Sequence, residues 1–269
     1  MKLPWHAVRW LQRAVNAWIF GYLLSSLPAA EWIWVHPAVP QLPAPPGVAA
    51  MLTHAFDSWL PPQGAIIAVV LVMAIALHGA LLPARWYLTL VQWVLFSSLV
   101  NFAWLTSTGG HQLIANVLFW MILLPGKEPE TQARVGAKHV LHLSAFWIIR
   151  LQLLAAYAVT GIQKLTGVHW LAGDAMAIVA TDGAYGPSWL ATVPLLAVLM
   201  NYAVLLFQLT FPIAVWWKRT RGWWMLMGVV FHLGTGLTFG ILDMGLAFLV
   251  VYPAWSRRDE RVGSASAPA

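Results

Sequence analysis

Residues 64–83 read GAIIAVVLVMAIALHGALLP, an apolar run that contains no aspartate, glutamate, lysine or arginine. An α-helix needs roughly 20 consecutive apolar residues to cross the hydrocarbon core of a bilayer, and this run is long enough. We therefore predict an all-α protein, a polytopic bundle of about eight transmembrane helices. The other predicted spans lie near residues 14–30, 86–106, 111–125, 140–161, 189–217, 222–238 and 239–255.

The composition supports a membrane protein and excludes several other classes. Of the 269 residues, 60% are hydrophobic and 9% are charged, whereas soluble domains carry about 25% charged residues. The chain has no cysteine, which excludes disulfides, thiolate chemistry and cysteine-ligated metals. The net charge of +6 comes from short basic clusters between apolar runs. We therefore expect no nucleic-acid partner.

The basic residues predict the orientation of the chain. If the amino terminus is cytoplasmic, all the lysines and arginines except Arg150 and Lys164 fall on the cytoplasmic side, as the positive-inside rule requires. Only an even number of spans gives this alternation, so we expect both termini in the cytoplasm. The basic residues concerned are Lys2, Arg9, Arg13, Arg85, Lys127, Arg134, Lys138, Lys218, Arg219, Arg221, Arg257, Arg258 and Arg261.

The predicted domain organisation is simple. We expect one transmembrane domain over residues 1–262, with a retained first helix, and a short disordered tail over residues 263–269, which are small or polar. On the outer side, a connection over 31–63 is rich in proline and has no lysine or arginine. A second outer connection, over 165–188, either lies along the membrane surface or re-enters it.

Arg150 and Lys164 both belong to the fifth predicted span. A cation inside a span costs roughly 2.5–3.5 kcal/mol on insertion scales, so each needs a compensating partner or a function. They are about 21 Å apart along a helix and within about 40° of one face, on which Tyr157 lies between them.

Each polar group has a structural alternative to a functional role. Arg150, paired with carbonyls or a polar side chain, would lock helices together, and Lys164 would snorkel to the outer headgroups. His111 and His232 fall at the same depth as Lys164, where they are either hydrogen-bonded packing residues or members of a shared site.

The fifth span also carries a recognisable motif. Residues 150–165 read RLQLLAAYAVTGIQKL and are followed by Trp170 and Gly173. This stretch resembles the membrane domain of vitamin K-dependent gamma-glutamyl carboxylase and its bacterial relatives, the HTTM proteins. Two further segments agree with the resemblance, namely Gly110-His111 before an apolar run and Phe231-His232 followed by Phe239-Gly240-Ile241.

The resemblance implies a bacterial inner-membrane enzyme that activates reduced vitamin K or another quinol for oxygen-dependent epoxidation or carboxylation. It assigns Lys164 as the catalytic base and His111 as its support, and it places Tyr157, Arg150, His232 and Trp170 at the substrate. A lysine acts as a base only when neutral, and burial away from water favours that form. A lipid-soluble quinol would enter from the bilayer, and no metal is expected.

The sequence departs from the family pattern in ways that keep a rival function open. Gln163 stands where the family has a second lysine, and Gly110 stands where it has asparagine. No segment resembles the large soluble domain that engages a protein substrate, so a secreted peptide or partner protein is expected to contribute. The rival is a non-catalytic scaffold, or a peptide-maturation or export partner, that binds membrane lipid or peptide.

Two other motifs have structural interpretations. The glycines at 234, 236 and 240 are typical of close helix packing, because no strand precedes them as a phosphate loop requires. His139 and His142 have the spacing of metal ligands but no carboxylate spaced to join them, so we interpret them as interfacial residues.

Overall fold

A computed structural model describes residues 3–35, 64–103, 106–128, 136–183 and 186–256. Every regular element in these ranges is helical, which confirms the all-α prediction. Most of the proline-rich connection and the predicted tail at 263–269 lie outside the described residues. So do Lys2, Arg134, Arg257, Arg258 and Arg261.

Helices form where the sequence predicts spans. Two short helices lie in the second outer connection, and a third occupies the start of the predicted span 189–217, whose long helix begins only at Pro194. The α-helices are α1 (Trp5–Ser26), α2 (Gly64–Leu81), α3 (Trp86–Phe102), α4 (Gly109–Met121), α5 (Ala137–Leu165), α6 (Val168–Ala172), α7 (Ala175–Thr181), α8 (Ser188–Ala191), α9 (Pro194–Ala214), α10 (Arg221–Phe239) and α11 (Leu242–Leu249). Single turns at Leu27–Ala29, Glu31–Val35 and Tyr252–Trp255 complete the fold.

Three helices, α2, α5 and α9, are long and apolar enough to cross a membrane. Two further apolar stretches, α3 and 242–255, are shorter than a full span. The helix that contains the first predicted span, α1, begins at Trp5 and includes Arg9 and Arg13 before residue 14. The described helices thus support a membrane protein, and the number of spans stays a prediction.

The chain divides into two compact units, Met1–Arg150 with Val250–Ala269, and Leu151–Leu249. In the first unit α1 packs against α2, α2 against α3, and α3 against α4. Its interior holds a polar link in which Gln92 Nε2 donates to Asn16 Oδ1 at 2.9 Å. Gly79 makes room for this link, since a Cβ there would lie 2.6 Å from Asn16 Cγ.

In the second unit the three glycines at 234, 236 and 240 have different surroundings. A Cβ at Gly236 would lie 2.9 Å from Leu242 Cα, so this glycine does permit close packing, as predicted. Gly240 instead ends α10 in the left-handed conformation, with φ of 69°. A Cβ at Gly234 would meet nothing within 4 Å. The close-packing interpretation therefore holds for one of the three positions.

Candidate functional site

Lys164 lies in the last turn of α5, and its side chain is directed at an aromatic ring. Nζ lies 5.0 Å from the ring centroid of Trp170 and 3.5 Å from the Thr160 carbonyl oxygen. The face of an indole ring attracts a cation electrostatically. Lys164 is half-buried, so it is neither sealed in the core nor free in solvent.

Trp170 is itself held in place by α9. The side chain of Asn201 is buried, and its Nδ2 donates to the Trp170 carbonyl oxygen at 2.8 Å. The Tyr202 hydroxyl donates to the Leu171 carbonyl oxygen at 2.9 Å. Gly173 then ends α6 with φ of 85°, a conformation that favours glycine. The tryptophan and glycine of the motif therefore fix the ring beside Lys164.

The end of α5 has an apolar surface around the lysine. Val159, Ile162 and Leu165 are exposed on α5, and Val168 is exposed at the start of α6. Gly161, the motif glycine of α5, faces α9, where a Cβ would lie 3.0 Å from Leu209 Cδ2. Hence a half-buried amine borders a surface that a lipid-soluble molecule could approach from the bilayer.

Tyr157 and His232 form a pair in the interior of the second unit. The Tyr157 hydroxyl and His232 Nε2 share a hydrogen bond, and the two residues are only 1% and 3% exposed. A Cβ at Gly245 would lie 2.6 Å from the His232 carbonyl oxygen, so α11 can approach α10 only with glycine there. Aromatic rings enclose the pair, contributed by Phe207, Phe211, Phe231 and Phe248.

Arg150 belongs to the first unit, where it is bound to the main chain. Its Nε donates to the Ala254 carbonyl oxygen at 2.7 Å. Its guanidinium carbon lies 4.8 Å from the ring centroids of Phe146 and Trp147, and 5.0 Å from that of Trp255. This is the carbonyl-bound, helix-locking arrangement that the sequence left open for Arg150.

His111 is also in the first unit, in the first turn of α4. The backbone N–H of Thr108 donates to His111 Nδ1 at 2.9 Å, which closes a capping box at the start of the helix. Because Nδ1 accepts this bond, the neutral imidazole carries its proton on Nε2. The ring is fully buried against Tyr22 and Trp18, at centroid distances of 4.2 and 5.4 Å.

The HTTM domain family matches residues 86–259, which is more than half of the chain. The chain belongs to the HTTM family. The match includes Lys164, His111 and every other residue that the resemblance assigned to the site. Comparison with curated proteins and with solved structures gives no significant match. An HTTM domain indicates a membrane protein of the vitamin K-dependent carboxylase-like family.

The structure pairs some of the predicted site residues of this HTTM protein. Lys164 contacts Trp170, and Tyr157 contacts His232, both within the second unit. Sequence reasoning missed the residues that support them. Asn201 and Tyr202, which hold α6 beside Lys164, gave no sequence signal. Trp18 and Tyr22 instead enclose His111 in the first unit, and their i, i+4 spacing on one helix face gave a weak signal. No cluster of three potential metal ligands occurs among the residues that the structure describes.

Proposed function

We propose that this HTTM protein is a multi-pass enzyme of a bacterial inner membrane, with eight spans and both termini in the cytoplasm. It would bind a reduced quinone, such as reduced vitamin K, and use Lys164 as a general base. The observation that carries the proposal is the position of Lys164. The motif lysine is half-buried beside Trp170 at the end of a long apolar helix, next to an exposed apolar surface.

The residues around Lys164 suit a base that must receive a proton. When bound, the quinol would supply an acidic hydroxyl and the electrons for reaction with oxygen. Neutral Lys164 would accept that hydroxyl proton at Nζ and become an ammonium. Trp170 would stabilise the ammonium by about 0.5–2 kcal/mol, since the ring attracts the charged form. Trp170 thus favours completion of the proton transfer.

The other predicted residues have supporting roles in this proposal. His111 would act as a positioning residue within the first unit, where it carries its proton on Nε2 and closes the capping box at the start of α4. Tyr157 and His232 are bonded to each other inside an aromatic enclosure, so they would brace the helices of the site. Arg150 would likewise brace α5 through its bond to the Ala254 carbonyl.

A non-catalytic scaffold is the second candidate function. The Lys164–Trp170 contact is also compatible with it. A lysine held over an indole ring and only half-buried suits a permanent ammonium at the bilayer surface. In that case Lys164 would contact a lipid headgroup or an anionic group of a peptide during maturation or export.

The experiment that separates the two measures oxygen-dependent conversion of a reduced naphthoquinone to its epoxide by the purified protein. Lys164→Ala and Lys164→Arg are compared with the wild type, and Lys218→Arg is the matched control at an exposed lysine. Arginine keeps the charge but cannot lose a proton at ordinary pH. We expect both Lys164 variants to lose activity by about 10²–10⁴-fold, and the control to keep it.

Two results would contradict the proposal. Activity retained in folded Lys164→Arg would exclude Lys164 as the base. No epoxide from folded wild type, with or without added carbon dioxide, would favour the scaffold or an enzyme that needs a partner protein.

A further inference from the structure

A cavity lies entirely within the first unit, and the proposed quinol chemistry does not use it. It has a volume of about 570 Å³, within the range of about 300–1,000 Å³ typical of ligand sites. It is formed where four segments meet, namely the amino-terminal end of α1, the α2–α3 connection, the chain after α4 and the first turns of α5.

The lining of this cavity is basic. Arg85, Lys127 and Lys138 contribute cationic side chains, and His139 and His142 add two imidazoles. No aspartate or glutamate is among the described residues that line it. Three cationic side chains from three separate segments, Arg85, Lys127 and Lys138, therefore face one cavity. Such a cavity is complementary to an anion.

A backbone contact and a side-chain hydrogen bond shape the basic end of the cavity. A Cβ at Gly126 would lie 1.8 Å from the Ala84 carbonyl oxygen, so the chain after α4 touches the α2–α3 connection only because residue 126 is glycine. This contact brings the segments that carry Arg85 and Lys127 together. The Tyr87 hydroxyl accepts a hydrogen bond from Arg85 Nη1 at 2.7 Å, which orients the guanidinium.

The surroundings of the cavity favour an amphiphile. Its wall includes the apolar side chains of Leu3, Leu124 and Trp86, and Trp86 is 63% exposed. Trp5 and Tyr87 complete the aromatic lining, and such residues are enriched at the membrane–water interface. A ligand with an anionic head and apolar chains would satisfy both surfaces. Basic pockets at helix ends bind phospholipid headgroups in this way.

We propose that this basic cavity binds the phosphate headgroup of an anionic phospholipid, with the acyl chains against the exposed Trp86 of its wall. The lipid would join α1, the α2–α3 connection and α5 at one end of the unit. Binding to the folded state should therefore raise thermal stability.

The test measures lipid adducts by native mass spectrometry and the unfolding temperature in detergent, with phosphatidylglycerol, phosphatidylcholine or inorganic phosphate added. The variant Arg85→Gln/Lys138→Gln removes two basic groups from the cavity. The control Lys218→Gln/Arg219→Gln removes two exposed basic groups from the other unit. All substituted positions are exposed, so folding of both variants is expected and is checked by circular dichroism.

We expect phosphatidylglycerol to bind and stabilise the wild type more than phosphatidylcholine does. The cavity variant should bind it about thirtyfold more weakly, because each basic group near an anionic lipid contributes about 1 kcal/mol, and the control should bind normally. Equal effects of the two lipids, or equal losses in the two variants, would overturn the proposal. An equal shift with inorganic phosphate alone would assign the cavity to a free phosphate instead and would also overturn it.

Discussion

Lys164 Nζ lies 5.0 Å from the centre of the Trp170 ring, and a six-residue step along the chain separates the two. The geometry depends on α6, whose carbonyl groups at Trp170 and Leu171 accept hydrogen bonds from α9. The ring is therefore fixed by the fold, and the lysine is directed onto it. A lysine that only snorkelled to headgroups would not require this support.

The Lys164–Trp170 contact should be measurable as a coupling energy. In a double-mutant cycle with Trp170→Leu and Lys164→Met, we expect a coupling of about 0.5–2 kcal/mol, because only the ring face attracts the ammonium. Unfolding in detergent would provide the free energies. Trp189→Leu in place of Trp170→Leu is the control, since Trp189 is an exposed tryptophan of the same unit. A coupling energy no larger than that of the control would show that the cation–π interaction does not contribute to stability.

Removal of the Tyr157 hydroxyl should destabilise the second unit. In Tyr157→Phe the buried His232 loses its hydrogen bond, which costs about 1–3 kcal/mol. The matched control is Tyr202→Phe, whose hydroxyl is on the exposed side of α9 and bonds a carbonyl, so its loss should stay below that of Tyr157→Phe. Chemical unfolding of the purified variants measures both. Equal losses of unfolding free energy would mean that the buried Tyr157–His232 bond stabilises the protein no more than an exposed hydrogen bond does.

A lysine at position 150 should not preserve the stability that Arg150 provides, although it keeps the positive charge. We expect Arg150→Lys to lower the unfolding free energy by about 1–3 kcal/mol, because an ammonium lacks both Nε–H and the plane that packs on three aromatic rings. Arg219→Lys, at an exposed arginine, should be close to neutral. If Arg150→Lys were also neutral, the guanidinium geometry would be irrelevant to stability.

Two glycines should respond oppositely to alanine. In Gly245→Ala the new methyl would lie 2.6 Å from the His232 carbonyl oxygen, so α10 and α11 must separate, at a cost of about 1–3 kcal/mol. In Gly234→Ala the methyl meets nothing within 4 Å, and we expect no loss or a gain of up to about 1 kcal/mol. The unfolding temperatures of the two variants provide the comparison. A destabilised Gly234→Ala would show that this helix face has a partner in the membrane.

The absence of cysteine makes the proposed topology directly testable. Single cysteines at Thr166 and Gly183 should react with an impermeant maleimide in spheroplasts, because both positions are exposed in the predicted outer connection. Cysteines at Glu128 and Lys218 should react only after permeabilisation. The reverse pattern would invert the orientation, and labelling of all four in intact spheroplasts would contradict the spans between them.

The sequence by itself determined the helical class, the approximate position of each long helix and the family. These follow from local properties of the chain, since the length of an apolar run and the order of motif residues need no knowledge of neighbours. It also singled out Lys164, Trp170 and Gly173 as one motif, and the contact between Lys164 and Trp170 spans only a few residues. The sequence indicated the apolar part of α1 from about residue 14, whereas the helix itself begins at Trp5, because arginines are good helix formers and extend it beyond the apolar run.

Only the tertiary structure decided the partners of the buried polar groups. Tyr157 meets His232 across 75 positions, and Arg150 meets the Ala254 carbonyl across 104. In a bilayer the hydrophobic effect does not select which helices associate, because lipid tails are as apolar as the helix surfaces. Several apolar faces could therefore have covered these side chains at similar free energy. The close contact of Gly245 with the His232 backbone and the few hydrogen bonds available away from water select these partners. Those features become visible only when the helices are packed.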